Sequence, residues 1–282
     1  MTAMTSRTVT VDGLRLHVVE AGPADAPVLL CLHGLAASHA IWEPVATAFG
    51  DRFRVVAPDL PGHGLSAKPD APYDAAFYAA VVHGLARALD VDHAVVLGSS
   101  LGGRVALELA IRRPDFVRAL ALAAPAGDYA PMLRPAAMLL DLLPGPRMLR
   151  VGLRRGLERS FHDPRNPRCA ARRRIQEEQI AADDFPLFAR AVTRSIAALL
   201  RSARQPVERV TQPLLVCWGR EDRVVPFARS AALLARVPQA RLRVFERCGH
   251  LPMLECTDEY LRVVRAFLDE AGTTAVRAVV GG

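Results

Sequence analysis

Short uninterrupted apolar runs alternate along this chain with stretches of helical periodicity. That alternation limits the fold more than any other feature. The segments "PVLLCLHG", "RVVAP", "HAVVLG", "VRALALAAPAG", "QPLLVCWG" and "ARLRVFE" read as strands; the first two read as buried on both faces, as continuous apolar strands are. The intervening "IWEPVATAFG", "YDAAFYAAVVHGLARALD", "GGRVALELAIRR", "FARSAALLARV" and "TDEYLRVVRAFLDEAG" carry helical spacing. This order predicts an α/β fold, a mostly parallel sheet with helices on both faces. The opening "TVTVDGLRLHVVEAG" alternates on a two-residue period around Asp12-Gly13, which predicts a hairpin.

Residues 129–209 interrupt the rhythm. They contain no strand pattern and read as helices broken by prolines. The expected organisation is a core of residues 1–128 and 210–282, with 129–209 inserted as a helical cap. Between Pro131 and Val210 there are 16 Arg against 8 Asp plus Glu, whereas the whole chain has a net charge of +7. The insertion is basic and the core nearly balanced. Lys68 is the one lysine among 36 basic residues. An arginine skew of this kind, beside abundant alanine, reads as coding bias, so no nucleic-acid partner is expected. The cysteines at 31, 169, 217, 248 and 256 are odd in number, widely spaced and without a CxxC pair. Neither a disulfide framework nor a zinc site is expected. The first twenty residues lack an apolar signal region, and no run is long enough for a bilayer. The expectation is a cytoplasmic protein without stable membrane insertion.

The chemistry centres on Gly98-Ser99-Ser100-Leu101-Gly102. It fits G-x-S-x-G with a strand before it and a helix after it, the context that gives the motif meaning. A serine on so tight a turn is forced into an unfavourable backbone region, and only glycine neighbours avoid clashes. A glycine-rich turn that only packs a helix on a sheet is the plain alternative. A serine hydroxyl needs a base to take its proton. His250 in "ERCGHLPMLE" is the candidate base. Asp222 in "VCWGREDRVVP" is the candidate acid that orients it, with Glu221 and Asp128 as weaker alternatives. Ser100, Asp222 and His250 each follow a predicted strand, at the sheet edge where reactive groups converge. The backbone N–H groups of Leu101 and Leu35 are the candidate oxyanion donors. His33 and His63, in "HGL" and "PGHGLS", read as structural hydrogen-bonders. No metal or organic cofactor is required by this set.

Taken together, these segments resemble the α/β-hydrolase superfamily. "LLCLHGLAASHAIWEPV", "RVVAPDLPGHGLSAKP", "VVLGSSLGGRVALELAIRRPDFVRALALAAPAG", "LLVCWGREDRVVP" and "CGHLPMLECTDEYLRVVRAFL" match family landmarks in order. The resemblance implies an eight-stranded sheet, with 129–209 as a lid over the nucleophile. It also implies hydrolysis of a small-to-medium ester or lactone through an acyl-enzyme. Relatives acting on haloalkanes or epoxides carry aspartate at the nucleophile position, and polyester synthases carry cysteine; Ser100 fits neither. Hydrolases of C–C bonds in ring-fission products often read N-S-M-G-G at the elbow, with tryptophan after the histidine. Here Ser99, Leu101 and Leu251 replace those residues, while Trp42 fits that pattern. C–C hydrolysis therefore stands as the second reading. A hydrolase-fold ligand receptor is the third.

Trp42, Ser99, Met138 and Leu251 are the candidate pocket residues for a small apolar ester-like substrate. Met132, Leu139, Leu142, Leu143 and Met148 lie on apolar faces of the insertion, where lid–core packing is the simpler reading. The adjacent Arg172, Arg173 and Arg174 cannot all face one site from a helix. At most one of them meets a substrate carboxylate.

Overall fold

The computed structural model describes residues 4–127, 146–201 and 204–279. Strands β1 (Met4–Val11) and β2 (Leu14–Ala21) form the predicted hairpin, with Val11 opposite Leu14. Asp12 and Gly13 both adopt positive φ, 47° and 80°. Two left-handed residues give a turn whose twist matches that of the flanking strands. Then follow β3 (Val28–Leu32), α1 (Glu43–Phe49), β4 (Arg54–Pro58) and α2 (Ala75–Ala88). Next come β5 (Ala94–Ser99), α3 (Leu101–Arg112) and β6 (Val117–Ala123). The chain returns to the sheet at β7 (Leu214–Gly219) and β8 (Arg241–Phe245), and closes with a helix over Thr257–Val279.

The eight strands lie in the order β1-β2-β4-β3-β5-β6-β7-β8. β1 and β2 pair antiparallel, as do β2 and β4; the other pairs are parallel. The inner parallel strands β3 to β7 are largely buried, whereas the edge strand β8 alternates exposed and half-buried residues before the buried Phe245. One face packs against α2 and α3 through residues such as Val82, Leu85, Val105 and Leu109. The other packs against α1 and the last helix through Val45, Phe49, Val264 and Phe267. Each parallel crossover brings the C-terminal strand ends to one edge of the sheet.

Between β6 and β7 the described residues form three helices, α4 (Pro146–Ser160), α5 (Pro167–Ala181) and α6 (Phe185–Arg201), and a short 3-10 turn (Val207–Arg209). Prolines open these helices more than they break them. Pro167 sits in the first turn of α5 behind Asn166, whose side chain accepts from the Arg168 N–H. Met148, expected on an apolar packing face, is 65% exposed. It precedes the buried Leu153 and Leu157 by five and nine residues, offsets that put it on the opposite side of the helix from them. Met132, Met138, Leu139, Leu142, Leu143 and Asp128 lie outside the described residues.

Candidate active site

Ser100 stands between the last residue of β5 and the first residue of α3, with φ 53° and ψ −114°. Three backbone hydrogen bonds hold it there. Its N–H donates to Ala123 O at 2.9 Å, and its carbonyl accepts from Ala126 and Arg104 N–H at 2.9 and 3.1 Å. The flanking glycines are obligatory for steric reasons. A Cβ on Gly98 would sit 2.7 Å from Gly102 O, and one on Gly102 would overlap the carbonyl oxygen of Leu32. One on Gly103 would sit 2.8 Å from Pro125 Cβ. The elbow is a strained turn whose neighbours must lack side chains.

His250 follows β8 and Asp222 follows β7. His250 Nδ1 lies 2.7 Å from Asp222 Oδ2, and both side chains are almost fully buried. The other carboxylate oxygen, Oδ1, accepts from Val224 and Val225 N–H at 2.8 and 2.9 Å. Three donors fix this carboxylate, which points the imidazole Nδ1–H at it and leaves Nε2 as the basic atom. Glu221 is used elsewhere: its carboxylate accepts from Cys248 N–H at 2.9 Å, and its N–H donates to Cys248 O at 3.0 Å. Glu255 receives Gly249 N–H at 2.9 Å and His162 N–H at 2.6 Å. His250 N–H donates to Ser160 O at 2.7 Å. The histidine loop is thus tied to both the core and the end of α4. Sequence reading missed Glu221, Glu255 and Ser160 in these supporting roles. Glu221 adjoins Asp222 and Glu255 follows His250 by five residues, but nothing in the sequence marks Ser160.

The loop after β3 brings Gly34 against the elbow, where a Cβ would lie 3.2 Å from Ser100 Cβ. His33 locks this loop. Its Nε2 accepts from Leu60 N–H at 2.9 Å, so the proton is on Nδ1, which donates to Gly34 O at 2.8 Å. Burial pulls its pKa down to about 4. His63, buried against His33 and Phe188, is pulled down by burial to about 3. Both are neutral structural groups, as expected. Among the described residues, neither the Leu35 N–H nor the Leu101 N–H is taken up by a hydrogen bond.

The pocket candidates are placed less simply. Trp42 and Leu251 pack into the apolar cluster on the α1 face of the sheet. Ser99 is fully buried at the end of β5 with no partner for its hydroxyl. Met138 lies outside the described residues. A cleft of about 950 Å³ opens between the loop after β4 and helices α5 and α6. His39, Asp59, Lys68 and Phe188 line it; Ser100 and His250 do not.

His17, His39 and Asp59 converge closely enough to hold a metal ion. The Asp59 carboxylate is already engaged. It accepts from His39 N–H and Leu65 N–H at 2.8 and 2.9 Å, and from the His39 and His17 rings at 2.9 and 3.2 Å. Burial raises the acid's pKa, but those hydrogen bonds outweigh it and hold the group below the usual carboxylate range. A hub that ties the loop after β4 to His17 on β2 and to His39 in the segment after β3 accounts for these contacts.

A mostly parallel sheet whose central strand ends in a strained serine before a helix defines an α/β hydrolase. A sequence profile of the α/β hydrolase fold family matches residues 27–256, and the chain belongs to that family. The 2-(acetamidomethylene)succinate hydrolase of Mesorhizobium japonicum is 34% identical over 251 residues, 84% of each chain. The 2-hydroxymuconate semialdehyde hydrolase of Pseudomonas sp. strain CF600 is 30% identical over 281 residues, 96% of each chain. The enol-lactonase structure from Burkholderia xenovorans LB400 has the same fold, with a TM-score of 0.80 at 24% identity. That match covers 93% of this chain and 100% of the lactonase. No helix among the described residues is long and apolar enough to cross a membrane.

Proposed function

We propose that this hydrolase cleaves a small-to-medium carboxylic ester or lactone by acyl transfer through Ser100. His250 Nε2 takes the Ser100 proton as Oγ attacks the carbonyl carbon. The Leu35 and Leu101 N–H groups receive the developing oxyanion, helped by the N-terminus of α3. His250 then returns the proton to the leaving alkoxide, and water resolves the acyl-enzyme by the same steps. Asp222 stays ionised and holds the imidazole tautomer. Helices α4 to α6 act as the lid, and the substrate is a small apolar molecule.

The observation that carries this reading is the buried His250–Asp222 pair at 2.7 Å, on the same sheet edge as the strained serine. Two unengaged N–H groups beside that serine support it. A second reading is hydrolysis of a C–C bond in a ring-fission product. The 30% identity to a 2-hydroxymuconate semialdehyde hydrolase across 96% of both chains favours it. Ser99, Leu101 and Leu251 depart from that subfamily's pattern. Both readings use the same nucleophile and differ in the leaving group, an alkoxide or a stabilised carbanion.

The test is steady-state turnover of a chain-length series of 4-nitrophenyl esters beside a vinylogous diketone acid. Wild type and Ser100→Ala are compared. Ester turnover that vanishes in the variant supports the first reading. Turnover of the diketone alone replaces it with the second.

A further inference from the structure

The loop that carries the Leu35 N–H belongs as much to the lid as to the core. Gly34 O accepts from Ala37 N–H at 3.2 Å, which closes a four-residue turn with Leu35 and Ala36 at its centre. Ala36 occupies the third position at φ 52°. A positive φ there favours glycine, because a Cβ crowds the backbone in that region. Something outside the turn must hold an alanine in that shape.

Two contacts from the lid do so. Ala36 and Leu35 pack into an apolar cluster made otherwise of lid residues, among them Leu153, Ile180, Phe185 and Phe188. The guanidinium of Arg172, on α5, donates through Nη2 to the Ala36 carbonyl. Arg172 is only 5% exposed. Among the described residues it makes no ion pair, and its Nη1 has no partner. Burial lowers its pKa to about 10, with the Asp59 charge opposing that fall, so it remains a cation at neutral pH. A buried cation without a carboxylate partner is costly to keep. Its neighbours differ: Arg173 reaches toward Glu158 at 3.8 Å with a half-exposed side chain, and Arg174 is exposed. The triplet turns one arginine inward, onto a carbonyl.

We propose that Arg172 is a positioning residue: by pinning the Ala36 carbonyl from the lid, it holds the turn that presents the Leu35 N–H to the oxyanion. The opposite end of the turn is fixed from the core by His33, through Gly34 O at 2.8 Å. The oxyanion hole is then complete only when α5 is docked, which couples lid closure to catalytic competence. This inference rests on the acyl-transfer reading of Ser100.

The test uses 4-nitrophenyl acetate, a neutral ester, with wild type, Arg172→Gln, Arg172→Gln with Ala36→Gly, and Ser100→Ala. Arg172→Gln is expected to lower kcat by about tenfold or more, while KM changes less than about twofold. Glycine is at ease with positive φ, so the double variant is expected to recover at least half of that loss on a logarithmic scale. Circular dichroism confirms folding; if Arg172→Gln does not fold, Arg172→Lys replaces it with the same comparison. A wild-type kcat in the single variant overturns the proposal, and so does a double variant no better than the single. A defect confined to KM for carboxylate-bearing esters also overturns it, because Arg172 would then contact substrate. Residual turnover in Ser100→Ala would instead overturn the nucleophile.

Discussion

His250 Nδ1 and Asp222 Oδ2 lie 2.7 Å apart, and the far oxygen of the same carboxylate is held by two backbone N–H groups from Val224 and Val225. The acid cannot swing away, so the imidazole has one available tautomer. Asp222→Asn keeps the shape but offers an N–H where an acceptor is needed. The expected result is a fall in kcat of about 10⁴-fold with an unchanged circular dichroism spectrum. A loss below about tenfold would assign the orienting role to another group.

Glu221 holds the histidine loop without touching the imidazole, by accepting from Cys248 N–H at 2.9 Å. Glu221→Gln keeps an acceptor oxygen at that place. Its kcat is expected to fall by less than about tenfold, far less than for Asp222→Asn, because only positioning is weakened. Parallel pH–rate profiles for the two variants check this ordering.

Gly102 and Gly127 provide a matched pair. A Cβ at 102 overlaps backbone carbonyl oxygen atoms of Leu32 and His33, whereas one at 127 meets nothing within 4 Å among the described residues. Gly102→Ala is expected to destabilise by about 1–3 kcal/mol or to prevent folding. Gly127→Ala should stay within about 0.5 kcal/mol of wild type. Urea midpoints of the two variants measure the difference.

Acid should weaken the fold through buried histidines. The unfolded chain takes up these protons near pH 6.5, whereas burial delays uptake by folded His33 to about 4 and by His63 to about 3. In that window the unfolded state binds more protons, so stability falls as pH falls, by up to about 1.4 kcal/mol per pH unit for each group. Asp59 has the depressed pKa of a hydrogen-bonded carboxylate. Its contribution is present above the ordinary carboxylate pKa and is lost only as pH drops further. Urea midpoints measured from pH 7 to pH 4 should decline steadily, and His63→Gln should flatten that decline.

Much of this molecule was legible from local chemistry. The Asp12-Gly13 turn, the buried parallel strands and the glycine-flanked Ser100 follow from backbone constraints that act within a few residues. The order Ser100, Asp222, His250 follows from the strand rhythm. What distinguishes Asp222 from Glu221 is a difference of one residue on one loop. Only the folded chain turns Asp222 toward His250 and Glu221 toward Cys248. Trp42 and Leu251 were expected in the pocket, yet both pack in the core cluster on the α1 face. Large apolar side chains serve either purpose, and their facing depends on packing across the sheet. The inward turn of Arg172 was equally hidden, because three adjacent arginines look alike until a helix docks.

The most direct measurement is intact-mass and peptide mapping after reaction with a fluorophosphonate, which traps an activated serine. A single adduct on Ser100 is expected, absent from Ser100→Ala and slowed in His250→Ala. An adduct on another residue, or unchanged labelling of Ser100→Ala, would contradict it.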